Sequence, residues 1–189
     1  MLPLTPRECF PHMPDELFDM WIKPEITSHG WPFGGDETIV SNPTWAKYLR
    51  DLGPHFWRGV HWNLVHPSFV GIPIEERAIK VARMLSEVGR KFVETGVAEA
   101  TLVPNSPQKV AALADVTKSN ERLPKPLVCL VQGNEWWLMD GHHRLGALFL
   151  LNQQDAIPFD CWLGTYVLTP SSTLAASRRV NSNIRHKLD

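Results

Sequence analysis

The 189-residue chain has only three cysteines, Cys9, Cys129 and Cys161. Three thiols cannot all pair within one chain, and none stands at CxxC spacing. Neither a disulfide framework nor a cysteine-based zinc motif is expected, and the pattern fits a reducing cytosol. Long apolar runs are also missing. The longest candidate, Leu145 to Leu151, falls far short of the roughly 20 residues that span a bilayer. Met1 to Phe10 has no basic region followed by an apolar core, so no secretory signal is expected there. Charge of one sign is not in excess either. The formal net charge is −1, so there is no global basic field, and any contact with nucleic acid must use a local patch. No internal repeat or low-complexity run is visible. The remainder, 43% hydrophobic and 21% charged, is ordinary for a globular protein of one domain, or of one core plus an extension.

The first 74 residues hold ten of the sixteen prolines and five of the eight tryptophans. Disordered segments are poor in aromatics, so this mixture predicts irregular structure packed down by aromatic anchors. Short helices are expected near Pro14–Ile22 and Thr44–Leu52, with turns at Asn42-Pro43 and Gly53-Pro54. The tryptophans could also stack bases of single-stranded nucleic acid. His61 and His66 stand five apart, with His55 and Cys9 elsewhere. That spacing does not share a helix face, and no paired Cys/His set completes a zinc site.

From Glu75 to Glu94 the apolar residues Ala78, Val81, Ala82, Leu85, Val88 and Phe92 recur at helical spacing, with Gly96 as the stop. Glu76–Lys80 and Glu87–Lys91 are i,i+4 pairs. Val97 to Val103 then reads as a short strand. Ser106-Pro107 reads as an N-cap followed by proline at the first helical position, with Val110, Leu113, Ala114 and Thr117 on one face. Leu127–Val131 and Glu135–Met139 read as strands joined by a Gly133-Asn134 turn. A buried helix is expected from His143 to about Asn152, and a last strand from Pro158 to about Val167. The order is β-α-β-β-α-β with mixed pairing, an α+β fold. The division expected is an extension over residues 1–96, a core over 97–167 and a basic tail over 168–189. That tail carries Arg178, Arg179, Arg185 and Lys187. It is either a solvated terminus or a small basic arm for nucleic acid or an acidic partner.

Asp140-Gly141-His142-His143-Arg144 lies between the second strand of the hairpin and the buried helix. A strand turning into a helix leaves free backbone N–H groups at the positive end of the helix dipole, an anion site. Gly141 lets backbone approach a ligand, and Arg144 offers a planar fork for phosphate oxygens. Asp140 can hold Mg²⁺ or act as general base. His142 or His143 can activate water or protonate a leaving oxygen. Adjacent helical residues point about 100° apart, so the two histidines are expected to play different roles, His143 on phosphate and His142 toward substrate. The same five residues admit a plain account, with Asp140 as an N-cap, solvated histidines and a surface arginine.

The stretch from about Val97 to Val167 resembles the ParB/sulfiredoxin superfamily. The resemblance rests on Pro107-Gln108-Lys109-Val110-Ala111-Ala112-Leu113-Ala114-Asp115, on Leu123-Pro124-Lys125-Pro126-Leu127-Val128, and on Asp140 to Leu145 followed by Ile157-Pro158. It covers roughly 70 residues and leaves the first 96 unexplained. It implies a ParB/sulfiredoxin-like core binding ATP with Mg²⁺ or another divalent cation. Lys109, Gly141, His143 and Arg144 would be on the phosphates, and Asp140, His142, His143 and Arg144 in the chemistry. Asp140 is the first candidate metal ligand, and Glu99, on the expected first strand, a weaker second. The sulfiredoxin catalytic cysteine falls at His142, so sulfinic-acid repair is not expected. Only about 20 residues follow position 167, so a ParB-like helix-turn-helix domain is not expected either. Size, the DGHHR turn and the Trp-rich N-terminal extension also resemble plasmid-encoded fertility-inhibition proteins, which block conjugative or T-DNA transfer by another plasmid. That likeness implies an ATPase and metal-dependent DNase acting on plasmid DNA or T-DNA. It also implies a type IV secretion coupling protein as partner and a cytoplasmic location, peripheral to the inner membrane through that partner. The alternatives are a small-molecule kinase of the free-serine type and a non-catalytic protein-binding inhibitor.

Overall fold

The computed structural model describes residues 4–34, 43–67, 72–99, 101, 104–151 and 157–167. In chain order the elements are α1 (Pro6–Cys9), α2 (Asp15–Leu17), a π-helical segment (Phe18–Ile22), α3 (Lys23–His29), α4 (Pro43–Arg58), β1 (Val60–Val65), α5 (Glu76–Thr95), α6 (Ser106–Asn120), β2 (Leu127–Gln132), β3 (Glu135–Asp140), α7 (His142–Leu151) and β4 (Cys161–Tyr166). The fold is α+β, around a four-stranded mixed sheet in the order β1-β4-β2-β3. β2 pairs antiparallel with β3 and parallel with β4. None of the described helices is long and apolar enough to cross a membrane.

The chain forms two compact units, one of residues 1–62 with 165–189, the other of residues 63–164. In the first, aromatic rings do the packing. Trp57 is fully buried, Trp21 and Trp62 nearly so. Phe10 lies 5.3 Å from Trp57 and 6.2 Å from Trp31, and Trp21 meets both Trp57 and Trp62 edge-on. The tryptophans with described side chains here serve as the expected anchors, and Trp57 donates its indole N–H to Leu49 O at 3.2 Å. The expected helix near Pro14 is found and runs on to His29. The expected helix near Thr44 extends to Arg58, with its break at Gly53, where φ is 75° and ψ 160°. Asn42, half of one expected turn, lies outside the described residues.

The second unit is aliphatic. Ala78, Ala82, Leu127, Cys129, Leu138, Leu145, Leu148 and Phe159 form one buried cluster, and Leu85, Val110, Ala114 and Ala147 another. α5, α6 and α7 pack on one another in pairs. Small residues set the spacing. A Cβ at Gly89 would stand 2.7 Å from Val110 Cγ1, and one at Gly146 would stand 3.0 Å from Leu85 Cβ. α5, read from the sequence as the end of the extension, is packed inside this unit.

Two expectations need correction. Val97–Glu99 and Thr101 are not strand. Gly96 closes α5 in the left-handed region, and Val97, 65% exposed, leads the chain into solvent. The remaining expected strand residues, 100, 102 and 103, lie outside the described set. β1, which the sequence reading left within the irregular region, is a strand instead. Lys91 pairs directly with Glu99 at 2.9 Å, and Glu87 at i−4 adds a weaker charge attraction. The expected Glu76–Lys80 pair does form, at 2.8 Å.

Candidate phosphate site

The hairpin register builds the site. Val128 stands opposite Asp140 across β2 and β3, so the residues entering β2 lie beside the residues leaving β3. The chain then turns at Gly141 into α7, whose first backbone bond runs from Leu145 N to Gly141 O at 2.9 Å. A cavity of about 540 Å³ opens here. It is lined by Asp140, Gly141, His142, His143 and Arg144 from the turn, by Lys109, Ala112, Leu113 and Val116 from α6, and by Pro124 and Lys125 from the approach to β2. Most of the residues proposed for phosphate chemistry therefore line one cavity.

Gly141 has φ 110°, in the region where L side chains are strained. A Cβ there would lie 2.5 Å from Leu127 Cδ2 and 3.1 Å from Arg144 Nε and Nη2. Its need for glycine thus comes from its own neighbours, before any ligand is considered. Arg144 is not the surface cation of the plain account. It is buried, and its Nη2 donates to Asp140 Oδ2 at 2.6 Å. Its Nε is buried without a hydrogen-bond partner. Asp140 is correspondingly committed to Arg144, and its side chain is 41% exposed.

Burial holds both histidines below their ordinary pKa of 6.5. For His142 the Asp140 carboxylate opposes this and Arg77 reinforces it. For His143 the ammonium of Lys109 and the neighbouring His142 add to burial, while Asp140 again opposes. Both rings are therefore neutral at pH 7, each with one acceptor nitrogen. His143 Nε2 lies 2.9 Å from Ser106 Oγ. Ser106 was expected as the N-cap of α6, but that position falls to Asn105, and the hydroxyl faces His143 instead.

Lys125 was missed as a site residue, although it lies in a quoted motif. Its signal was positional, two residues before a strand that pairs antiparallel with the strand ending at Asp140. With the histidines neutral, the lining carries three cations, Lys109, Lys125 and Arg144, and one carboxylate. Neither lysine has a carboxylate partner among the described residues. An anion is what this lining lacks.

Glu99 is not part of the lining; it is held by Lys91. Among the described residues no three His, Cys, Asp or Glu side chains gather as a metal-binding group. The donor set does not fit a resident, protein-caged ion. A Mg²⁺ arriving with a nucleotide would find Asp140 as the one carboxylate in the lining. His61 and His66, also weighed for zinc, have partners of their own. His61 stacks on His12 at 4.1 Å, and His66 Nδ1 lies 2.6 Å from Asp160 Oδ1. Cys9 is fully buried, which pushes its thiol up to about 11. The basic segment from Thr169 to Asp189 lies outside the described residues. No family model, curated protein or solved structure matches the chain.

Proposed function

We propose that the chain binds a nucleotide in this cavity and performs phosphoryl transfer there, as an ATPase and metal-dependent DNase of the ParB/sulfiredoxin type. The observation that carries the reading is the convergence of Lys109, Lys125 and Arg144 on two neutral histidines at a helix N-terminus, with a single, already paired, carboxylate. Phosphoryl transfer asks mainly for positioning and for charge stabilisation of the equatorial oxygens. The lysines and Arg144 supply the charge. The first-turn N–H groups of α7 add donors that have no partner within the helix. A neutral histidine can take a proton from an attacking water. Mg²⁺, when bound with the nucleotide, would neutralise phosphate charge.

In the role that fits the fertility-inhibition resemblance, the enzyme would act on plasmid DNA or T-DNA at the coupling-protein step of transfer. The cavity volume favours a second reading. About 540 Å³ is of the size that encloses one small ligand, which suits a small-molecule kinase equally well.

Phosphate release from ATP with Mg²⁺, with and without DNA, in wild type and Arg144→Ala, tests this reading, with DNA integrity read from the same samples. Turnover and cutting that collapse together in the variant are expected. Turnover that DNA neither stimulates nor accompanies, but that free serine does, selects the kinase. Turnover indifferent to Arg144, or none in wild type, sinks the phosphoryl-transfer reading and leaves a binding module.

A further inference from the structure

The start of α6 is built against the usual rules. Asn105 occupies the N-cap position in the left-handed region, φ 60°, and makes no side-chain capping bond. Asparagine tolerates that conformation better than most residues with a Cβ, but its side chain does not cap the first turn. Ser106, the natural cap by sequence, is instead the first helical residue and fully buried. A buried hydroxyl requires a hydrogen-bonding partner, and Ser106 Oγ finds His143 Nε2 at 2.9 Å. Ser106 does not line the cavity, whereas His143 does.

We propose that Ser106 is a positioning residue for His143, holding the imidazole by Nε2 and so leaving Nδ1 as the ring nitrogen that meets a phosphate ester in the cavity. A phosphate oxygen only accepts, so in this arrangement Nδ1 carries the ring proton and the Ser106 hydroxyl donates to the unprotonated Nε2. The contact also fixes the ring's rotation against α6, the helix that supplies Lys109. Ring and ammonium are thereby set relative to each other before a ligand enters. The hold on the ring stands by itself, and only its purpose rests on the phosphate-ester reading.

The test separates the two. The tautomer of His143 is read by ¹⁵N NMR without ligand in wild type, Ser106→Ala and Ser106→Thr, and the same samples are titrated with pyrophosphate. One tautomer is expected in wild type and Ser106→Thr, and a mixture in Ser106→Ala. Pyrophosphate affinity should fall roughly fivefold in Ser106→Ala, the loss of about one neutral hydrogen bond, and recover in Ser106→Thr. If Ser106→Ala does not fold, Ser106→Cys, with its weaker donor, is measured in its place. An unchanged tautomer in the hydroxyl-free variant overturns the proposal. So does a redistributed tautomer with unchanged affinity. So does a phosphate adduct on Ser106 after incubation with ATP, which would make it a nucleophile. A redistributed tautomer in a protein whose wild type ignores pyrophosphate upholds the hold on the ring and overturns the phosphate-ester reading.

Discussion

The two compact units solve packing with different side chains, and among the described residues they use their cations differently. In the unit built on residues 1–62, large rings fill space, and the basic residues Arg7, Lys23, Arg50 and Arg58 each have a partner, Asp15, Asp19, Pro32 O and Glu8 O respectively. In the unit of residues 63–164, aliphatic side chains and glycines let α5, α6 and α7 pack closely, and Lys109 and Lys125 stand at the rim of a cavity with no carboxylate of their own. A cation already held by a partner has less to offer an incoming anion. Uncompensated cations beside neutral histidines are why the proposed chemistry is assigned to the second unit.

Breaking each unit at its centre should separate these roles. Trp57→Ala removes a fully buried ring in contact with Phe10, Trp21 and Phe56. It should cost about 4 kcal/mol, seen as a lower urea midpoint. A loss below about 1 kcal/mol would mean that the rings are not the anchors of that unit. Arg144→Ala should lower phosphate release about 100-fold, comparable to the loss of one preorganised donor to a developing charge. Lys125→Ala should act in the same direction more weakly, because an exposed lysine contributes as a point charge without bidentate geometry.

The same contrast separates what was legible in the sequence from what was not. The hairpin and its turn, α5 with its Gly96 stop, and α7 could be read because local pattern and tertiary packing agree there. β1 was not read, although Val60, Trp62 and Leu64 alternate along it, because prolines and tryptophans on both sides suggested loops and Leu64 is 37% exposed. Val97–Val103 carried enough apolar residues to suggest a strand. Strand formation depends on a pairing partner, and no local pattern reports one. In the site, the DGHHR residue types were legible, but their partners were not. That Asp140 serves Arg144 and Ser106 serves His143 depends on contacts made only after α6, β3 and α7 come together.

Glycines sharpen the comparison at smaller energies. Gly133, in the β2–β3 turn, and Gly141 both have positive φ, 60° and 110°. A Cβ at Gly133 meets nothing within 4 Å, whereas one at Gly141 meets Leu127 Cδ2 at 2.5 Å. Gly133→Ala should cost about 1 kcal/mol from backbone strain alone. Gly141→Ala should cost about 2–3 kcal/mol, because fully buried Leu127 must also move, and it should displace Arg144 as well. Equal unfolding midpoints for the two variants would show that the packing around Gly141 tolerates a methyl group.

The smallest effect expected is the dependence of stability on pH, and its sign follows from the histidines. His142 and His143 have native pKa values below the ordinary 6.5, chiefly through burial. As pH falls through 6.5 the unfolded chain takes up protons that the native protein refuses. Stability therefore declines from about pH 7 downward until the native values are passed, and is level above it. Urea midpoints between about pH 7.5 and 5.5 should show this slope in wild type, and His142→Gln should show less of it, having lost one of the two groups. Catalysis by a neutral imidazole should follow the native values instead, so phosphate release should hold its rate to a lower pH than a solvent-exposed histidine would allow. A wild-type midpoint that rises as the solution is acidified would mean that these imidazoles are stabilised in their charged form, with Asp140 outweighing burial, and would reassign them from proton acceptors to additional cations.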